Sequence, residues 1–228
     1  PEKESWFREI IDRLKAGEPI QYILGDCYFH GNRFFVSPDV LIPRPETEEL
    51  VDWILKEDAF HSLLDIGTGS GCIAISLKKE RSSAEIYAMD ISEKALSIAK
   101  KNALLNDAPI HFIHDSILSP RTSNQTYDII VSNPPYILQK EKAAMHKNVL
   151  EHEPHLALFV DDEEPLLFYK KIAEYGIHHL TEQGLLFFEI NALLGKETKE
   201  MLEEYGYHDV VIKTDINGKE RMIRCRKK

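Results

Sequence analysis

The stretch Leu63-Leu64-Asp65-Ile66-Gly67-Thr68-Gly69-Ser70-Gly71 decides the fold of this chain. Its apolar half has the length of a buried strand, and its glycine-rich half predicts a tight turn into a helix that begins at Cys72. Glycines here let the backbone adopt positive φ and approach a ligand closely. The stretch therefore predicts a ligand site at the carboxyl end of the first strand of a parallel sheet.

Strands and helices alternate after this stretch, which is typical of an α/β fold. A closing hairpin is predicted around Asn217-Gly218. We expect a doubly wound, mostly parallel sheet that ends in this antiparallel hairpin. Its predicted strands are 63–66, 85–89, 110–113, 127–131, 185–190, 208–213 and 221–225, and its helices are 72–79, 92–105, 166–180 and 198–205.

The N-terminal part of the sequence has a different residue pattern. Residues 4–16 carry apolar side chains at helical spacing, so we predict a helix there that ends at Gly17. Residues 20–42 are rich in aromatic and β-branched side chains with turns at 25–26 and 31–32, so we predict extended segments and a β-hairpin. Pro43-Arg44-Pro45 then leads into a helix that runs to about Lys56.

Composition excludes several classes of protein. The 228 residues are 43% hydrophobic and carry a formal net charge of −10, which disfavours general nucleic-acid binding. The 3 cysteines have no pattern of disulfide or zinc sites. His152-Glu153-Pro154-His155 lacks the spacing of a zinc helix, so we predict no metal site. Without an apolar run of membrane length or a signal peptide, we expect a soluble cytoplasmic protein.

An acidic residue after the glycines indicates the kind of ligand. Asp90 ends the second strand, where a carboxylate can accept hydrogen bonds from both ribose hydroxyls of a nucleoside. A dinucleotide fingerprint would place its third glycine where Cys72 stands. The observed spacing, with Asp65 two residues before Gly67, instead resembles motif I of class I methyltransferases.

Ser132-Asn133-Pro134-Pro135-Tyr136 follows the fourth strand, beside the glycine turn. Its two prolines stiffen the loop and carry no N–H, which leaves carbonyl acceptors free for a ligand. The side chain of Asn133 offers a further acceptor. Such a pair of acceptors suits a planar NH₂ group, and Tyr136 offers an apolar face to pack on it.

Three further segments carry a resemblance to one family. They are Leu41-Ile42-Pro43-Arg44-Pro45-Glu46-Thr47-Glu48, Pro19-Ile20-Gln21-Tyr22-Ile23-Leu24-Gly25, and Glu153-Pro154 with Ala157-Leu158. Together with the NPPY sequence they resemble, in order along the whole chain, the bacterial release factor glutamine methyltransferase family, PrmC/HemK. The resemblance implies a seven-stranded class I methyltransferase sheet, and a domain division into 1–18 (last helix of an N-terminal helical domain, whose remainder we expect to be absent), 19–60 (hairpin and linker helix) and 61–228 (methyltransferase domain).

The resemblance also implies an activity: methyl transfer from S-adenosyl-L-methionine, with S-adenosyl-L-homocysteine as product, to glutamine N5 in the GGQ motif of peptide chain release factors. The family suggests a monomer. By resemblance, Asp65, Gly67, Thr68, Gly69, Ser70, Gly71, Asp90, Asp115, Ser116 and Asn133 bind the cofactor. Asn133, Pro134, Pro135, Tyr136 and Arg44 bind the substrate, and Asn133, Pro134 and Tyr136 are catalytic.

We expect Asn133 Oδ1 and the Pro134 carbonyl to accept the two N–H bonds of the substrate amide, with Tyr136 packed on it. The main alternative is adenine-N6 methylation of DNA or RNA, whose substrate also presents a planar NH₂. The charge of −10 opposes it. Two others remain: a non-catalytic partner of the GGQ loop, and an NAD-dependent oxidoreductase, which Cys72 disfavours.

Overall fold

The computed structural model describes residues 2–228, with strands and helices alternating from Ser62 onwards. The strands are β1 Asp26–Phe29, β2 Asn32–Phe35, β3 Ser62–Ile66, β4 Glu85–Asp90, β5 His111–His114, β6 Tyr127–Ser132, β7 Ile137–Leu138, β8 Phe159–Val160, β9 Leu180–Glu189, β10 His208–Thr214 and β11 Glu220–Arg226. The helices are α1 Glu2–Lys15, α2 Ile20–Leu24, α3 Pro45–Leu55, α4 Cys72–Glu80, α5 Glu93–Leu105, α6 Lys147–His152, α7 His155–Leu158, α8 Leu167–His179 and α9 Gly195–Glu204. A 3₁₀ helix spans Gln139–Ala144.

Seven strands form the central sheet in the order β10-β11-β9-β6-β3-β4-β5. The strands from β9 to β5 run parallel, and β11 pairs antiparallel with both β9 and β10. This confirms the predicted doubly wound sheet with its closing hairpin. The chain builds outwards from β3 to β5 and then returns to the other side of β3 as β6. Ligands of open α/β sheets bind at such a reversal, outside the carboxyl ends of the strands.

Alternate side chains of the central strands enter two separate cores. Leu63 packs on one face with α3 and α4, and its neighbour Leu64 packs on the other with α8 and α9. Ile129 and Ile130 of β6 divide in the same way. Burial on both faces explains why apolar residues stand next to one another in these strands instead of alternating with polar ones.

The predicted β-hairpin is present as β1 and β2, with the pairs Cys27–Phe34 and Phe29–Asn32. Its turn is His30-Gly31, and both residues have positive φ, 46° and 73°. The rings of Phe29 and Phe34 are fully buried in the core that also contains Leu63. The hairpin therefore shares the core of the sheet.

The prediction of an extended segment at 20–24 was wrong, because Ile20–Leu24 forms the short helix α2. Pro19 precedes its first residue, and Gly25 ends it in the left-handed conformation with its N–H on Gln21 O at 2.8 Å. These are ordinary helix boundary signals. Tyr22 is buried, and its hydroxyl donates to Val40 O at 2.6 Å. The boundary residues therefore outweighed the strand-like composition.

The segment 137–160 covers the carboxyl edge of the sheet, and the sequence analysis assigned no elements to most of it. β7 and β8 pair in parallel, with Ile137 opposite Phe159. The 3₁₀ helix, α6 and α7 lie between them in sequence. The segment thus forms a cap next to the NPPY turn.

Within residues 2–228, the helices are too short or too polar to cross a bilayer. The same residues contain no group of three or more His, Cys, Asp or Glu side chains arranged to hold a metal ion.

Candidate active site

Two cavities open at the carboxyl edge of the sheet and share a wall. The glycine-loop cavity, of about 310 Å³, lies beside the turn after β3 and the loops after β4, β5 and β6. The tyrosine cavity, of about 300 Å³, lies between the NPPY turn and the 137–160 cap. The residues that line both are Leu41, Arg44, Asn133, Pro134 and Ala157. Molecules held in the two cavities would therefore meet at Asn133 and Pro134.

The glycine turn presents backbone to the first cavity. The N–H groups of Gly67 and Thr68 donate to Met89 O at 2.8 and 3.0 Å, which fixes the turn against the end of β4. Gly67 and Gly69 have φ of 74° and 56°, a region that side-chain-bearing residues rarely adopt. A Cβ at either position would meet no described atom within 4 Å. The backbone here faces open space that a ligand can fill.

Asp90 is tied to this turn through its carboxylate. Its Oδ2 accepts from Gly69 N–H at 2.9 Å, and its Oδ1 accepts from Ser92 N–H at 2.9 Å. Burial raises the pKa of Asp90, and the two backbone N–H groups oppose that rise. The carboxylate lines the cavity, and each oxygen keeps a lone pair for a further donor. This suits recognition of a pair of hydroxyl groups.

Asp115 and Ser116 follow β5 and line the same cavity. Asp115 Oδ1 accepts from Ser116 N–H, and its Oδ2 accepts from Arg121 N–H, both at 2.9 Å. Asp115 therefore organises this loop as well as contributing to the wall.

Asp65 and Gly71 lie behind the wall. Asp65 is completely buried, and its Oδ2 accepts from Thr68 Oγ1 at 2.6 Å, so it holds the turn from inside. A Cβ at Gly71 would lie 2.9 Å from Ile75 Cδ1 and 3.2 Å from Ala99 Cβ. The third glycine thus allows the backbone to pack closely on α4 and α5. Both residues shape the glycine turn rather than line the cavity.

Burial raises the pKa of Asp65 to about 7. The folded protein therefore binds a proton there that the unfolded chain has lost, so unfolding becomes easier as pH rises from about 4 towards 7. Since one pKa unit corresponds to about 1.4 kcal/mol, we expect a loss of a few kcal/mol in this range. Asp65→Asn should flatten this part of the stability curve. Thermal melts of both proteins at pH 5 and pH 8 test this, and parallel curves would contradict it.

Asn133 stands at the shared wall with its amide orientation held by two partners. Its Nδ2 donates to Glu189 Oε2 at 3.0 Å and to Thr47 Oγ1 at 3.3 Å. Thr47 Oγ1 in turn donates to Glu189 Oε2 at 2.6 Å. The NH₂ group of Asn133 therefore faces the protein, and Oδ1 remains as an acceptor for a ligand.

Glu189 is a site residue that the sequence analysis missed. It ends β9 and is fully buried, and its Oε1 accepts from Tyr136 Oη at 2.8 Å. Burial raises its pKa, while the hydrogen bonds from Thr47 and Tyr136 and the charge of Arg221 act in the opposite direction. An acidic residue at the end of the apolar run Leu185-Leu186-Phe187-Phe188 was the available signal, because buried carboxylates need partners.

The tyrosine cavity contains Tyr136 in its wall. Its hydroxyl is held by Glu189, and the guanidinium of Arg221 lies 5.9 Å from its ring centroid. Burial and the neighbouring Glu189 hold the pKa of Tyr136 well above its ordinary value, so the hydroxyl is protonated. Tyr136 can therefore supply a fixed aromatic surface.

Arg44 joins the two chain segments around the shared wall. Its Nη2 lies 2.5 Å from Oε1 of the buried Glu153, and Glu153 Oε2 accepts from Ile42 N–H at 3.3 Å. This ion pair fastens the segment before α3 to the cap. Arg44 also lines both cavities, so the same side chain forms the ion pair with Glu153 and contributes to the site.

Most of the residues singled out in the sequence come together here. Tyr136 lines the tyrosine cavity, and Asp65 and Gly71 lie behind the wall. The others, all on the wall of the glycine-loop cavity, are Gly67, Thr68, Gly69, Ser70, Asp90, Asp115, Ser116, Arg44, Asn133, Pro134 and Pro135. Their roles towards ligands remain predictions.

The fold is that of known methyltransferases. A methyltransferase from Pyrococcus furiosus superposes with a TM-score of 0.64 at 18% identity, over 86% of this chain and 89% of that one. A 16S rRNA N2 G1207 methyltransferase from Thermus thermophilus, in complex with AdoMet and guanosine, superposes with a TM-score of 0.63 at 17% identity, over 89% of this chain and 50% of that one. At these identities the likeness shows the fold alone.

Sequence comparisons identify a family. The model of the methyltransferase small domain matches residues 46–157, and that of the PrmC N-terminal domain matches residues 1–25. A release factor glutamine methyltransferase of Flavobacterium psychrophilum is 54% identical over 94% of this chain and 78% of that protein. One from Bacteroides thetaiotaomicron is 52% identical over 97% of this chain and 80% of that protein. With this identity over nearly its whole length, the chain belongs to the release factor glutamine methyltransferase family.

Proposed function

We propose that this chain transfers a methyl group from S-adenosyl-L-methionine to the side-chain amide nitrogen N5 of the glutamine in the GGQ motif of peptide chain release factors. The names of its relatives support this activity. The observation that carries it is the orientation of Asn133. With Nδ2 turned to Glu189 and Thr47, Oδ1 is left as an acceptor at the wall between the two cavities.

The glycine-loop cavity fits the methyl donor. The backbone at Gly67 and Gly69 leaves open space where side chains would stand. Asp90 lines the cavity with acceptor atoms that suit two ribose hydroxyls. Met89, Ile91 and Ile117 add apolar wall, which suits an adenine ring. These residues would hold the nucleoside, and Asn133 lines the same cavity.

The chain's own part in the reaction is positioning. When bound, the cofactor supplies a methyl group on a positively charged sulfur; the amide nitrogen's lone pair forms the new C–N bond, and the electrons of the broken C–S bond stay on sulfur. Asn133 Oδ1 and the Pro134 carbonyl would accept the two N–H groups, which orients the nitrogen and stabilises its growing positive charge. The nitrogen then loses one proton to solvent, since neither acceptor is a base.

Tyr136 and Arg44 complete the proposed acceptor site. Tyr136 would pack its ring on the planar glutamine amide, with its hydroxyl fixed by Glu189. Arg44 would keep the segment before α3 and the cap together around the glutamine, through its pair with Glu153.

We further propose that the chain acts as a cytoplasmic monomer, without stable binding to nucleic acid. The formal charge of −10 supports the last point, because a phosphate backbone attracts basic proteins. The division of the chain at residues 18 and 60 also stays a proposal. The Phe29 and Phe34 rings bind the middle segment to the core of the third.

Mass spectrometry of a purified release factor, incubated with this chain and S-adenosyl-L-methionine, tests the function. We expect one added methyl on the GGQ glutamine. A release factor with Gln→Glu in that motif is the control and should gain none, because a carboxylate presents no NH₂ group. Methylation of an adenine-containing oligonucleotide, with the release factor unmodified, would contradict the proposal.

A further inference from the structure

The carboxylate of Glu189 connects three residues around the acceptor site. Its Oε2 accepts from Thr47 Oγ1 and Asn133 Nδ2, and its Oε1 accepts from Tyr136 Oη. Two of these donors, Asn133 and Tyr136, come from the NPPY turn, and Thr47 comes from the first turn of α3. A fully buried carboxylate with three side-chain donors is a built arrangement, because burial of an ionised carboxylate without partners is costly.

This arrangement decides which end of the Asn133 amide faces the ligand. An ionised carboxylate has only acceptor atoms, so the neighbouring end of the amide must be the NH₂ group. Thr47 strengthens the choice: its hydroxyl proton is given to Glu189 at 2.6 Å, which leaves Oγ1 as an acceptor for Asn133 at 3.3 Å. Both neighbours of Nδ2 are therefore acceptors, and the opposite orientation would place Oδ1 against them.

We propose that Glu189 is a positioning residue that determines the substrate class. It holds Asn133 so that an acceptor faces the reacting group, which selects a substrate with an NH₂ donor over one that presents an oxygen acceptor. The inference rests on the proposed function for the identity of the substrate, but the orientation itself can be tested without it.

The charged and titratable groups around Glu189 come from each element packed on it. Glu46 on α3 raises the pKa of Glu189, and Arg221 on β11 lowers it. Tyr136 donates to the carboxylate, and Tyr169 on α8 donates from its hydroxyl to Glu189 O at 3.3 Å. Arg221 is itself paired with Asp215, at 3.3 Å. Burial prevails over these partners, so the carboxylate takes up a proton above the ordinary pH range of glutamate.

Protonation of Glu189 would turn one of its oxygens into a donor and release the constraint on Asn133. We therefore expect kcat to fall on the acid side, at a pH above the ordinary range of a glutamate, and to rise with pH as Glu189 ionises. A residue with a purely structural role would leave this limb of the profile unchanged on substitution, as long as the protein stays folded.

Three variants separate the acceptor function from packing. Glu189→Leu removes both acceptors and should lower kcat at least about 100-fold, with the cofactor Kd changed less than about threefold. Glu189→Gln presents one donor and one acceptor, as protonated Glu189 does, so it should keep kcat near the acid-side value at every pH and lose the acid limb. Thr47→Val should lower kcat about tenfold, and the matched control Thr47→Ser should stay near the unsubstituted protein.

An NMR measurement reads the orientation directly and requires no substrate. In ¹⁵N-labelled protein, the side-chain NH₂ signal of Asn133 is identified by its absence from the Asn133→Asp variant. We expect this signal to titrate with Glu189 in the unsubstituted protein and not to titrate in Glu189→Gln. The readout also covers the case in which Glu189→Leu fails to fold.

The outcomes distinguish this inference from the proposed function. The role of Glu189 would be overturned, even if the release factor is methylated, by either of two results. One is an Asn133 side-chain signal that does not shift with pH, and the other is an unchanged kcat for Glu189→Leu. A coupled Asn133 signal in a protein that leaves the release factor unmodified would retain the role of Glu189 and overturn the proposed substrate.

Discussion

Asn133→Ala is expected to lower kcat for methylation of the release factor by about 10²–10³-fold and to change the Kd of S-adenosyl-L-methionine by less than about threefold. The side chain stands at the wall between the cavities with only its oxygen available, so its contribution arises when the substrate amide is held for attack. Most of the cofactor's contacts would be made elsewhere, by the glycine turn and Asp90.

Single-turnover kinetics with saturating cofactor, together with calorimetric titration of the cofactor, separate the two effects. Asn124→Ala is a matched control, since Asn124 is an exposed asparagine in the loop before β6. It should behave as the unsubstituted protein. Equal losses in kcat and in cofactor affinity for Asn133→Ala would show that Asn133 serves mainly to bind the cofactor.

Asp90→Ala is expected to weaken cofactor binding at least about 100-fold, because each hydrogen bond to a charged group contributes about 1.5–3 kcal/mol. Two ribose hydroxyls would donate to this carboxylate. The substitution also frees the N–H of Gly69, which Asp90 Oδ2 holds at 2.9 Å, so the glycine turn loses one of its supports. The measured quantity is the Kd by isothermal titration calorimetry.

Two controls refine the Asp90 prediction. Asp90→Asn retains one acceptor and the shape of the side chain, and it should weaken binding less than the alanine variant. Glu80→Ala removes an exposed carboxylate at the end of α4 and should leave the Kd unchanged. A Kd for Asp90→Ala within about threefold of the unsubstituted protein would show that the carboxylate does not bind the cofactor.

The sheet could be predicted from the sequence because its strands carry strong local signals. The apolar runs at 63–66 and 127–131 are buried on both faces, and helices of ordinary length separate the strands. The error at 20–24 arose where aromatic and β-branched residues were weighted above Pro19 and Gly25 at the ends of the segment. The cap at 137–160 contains strands of two residues, which are too short for periodicity to show.

The candidate site could be predicted only in part, for a physical reason. Glycines, Asp90 and the NPPY turn are visible because their residue types are unusual at the ends of strands. Glu189 and Thr47 are linked by a hydrogen bond of 2.6 Å, and this bond depends on how α3 packs against the end of β9. Thr47 and Glu189 are far apart in the sequence and meet only because the chain packs in three dimensions, so their spacing in the sequence could not reveal this pair. The same holds for the pair of Arg44 and Glu153.

The link between Thr47 and Glu189 spans 142 positions of the chain, and that between Asn133 and Glu189 spans 56. Non-local contacts of this kind close late in folding, since the intervening chain must first be ordered. During synthesis the glycine turn, Asp90 and the NPPY turn leave the ribosome before β9 does. Under the proposed assignment, a nascent chain that still lacks Glu189 already contains the proposed cofactor-binding residues, but the partner that fixes the Asn133 amide is still missing. If Glu189 positions Asn133 as proposed, the chain becomes competent for catalysis only once β9, the last parallel strand, has been added.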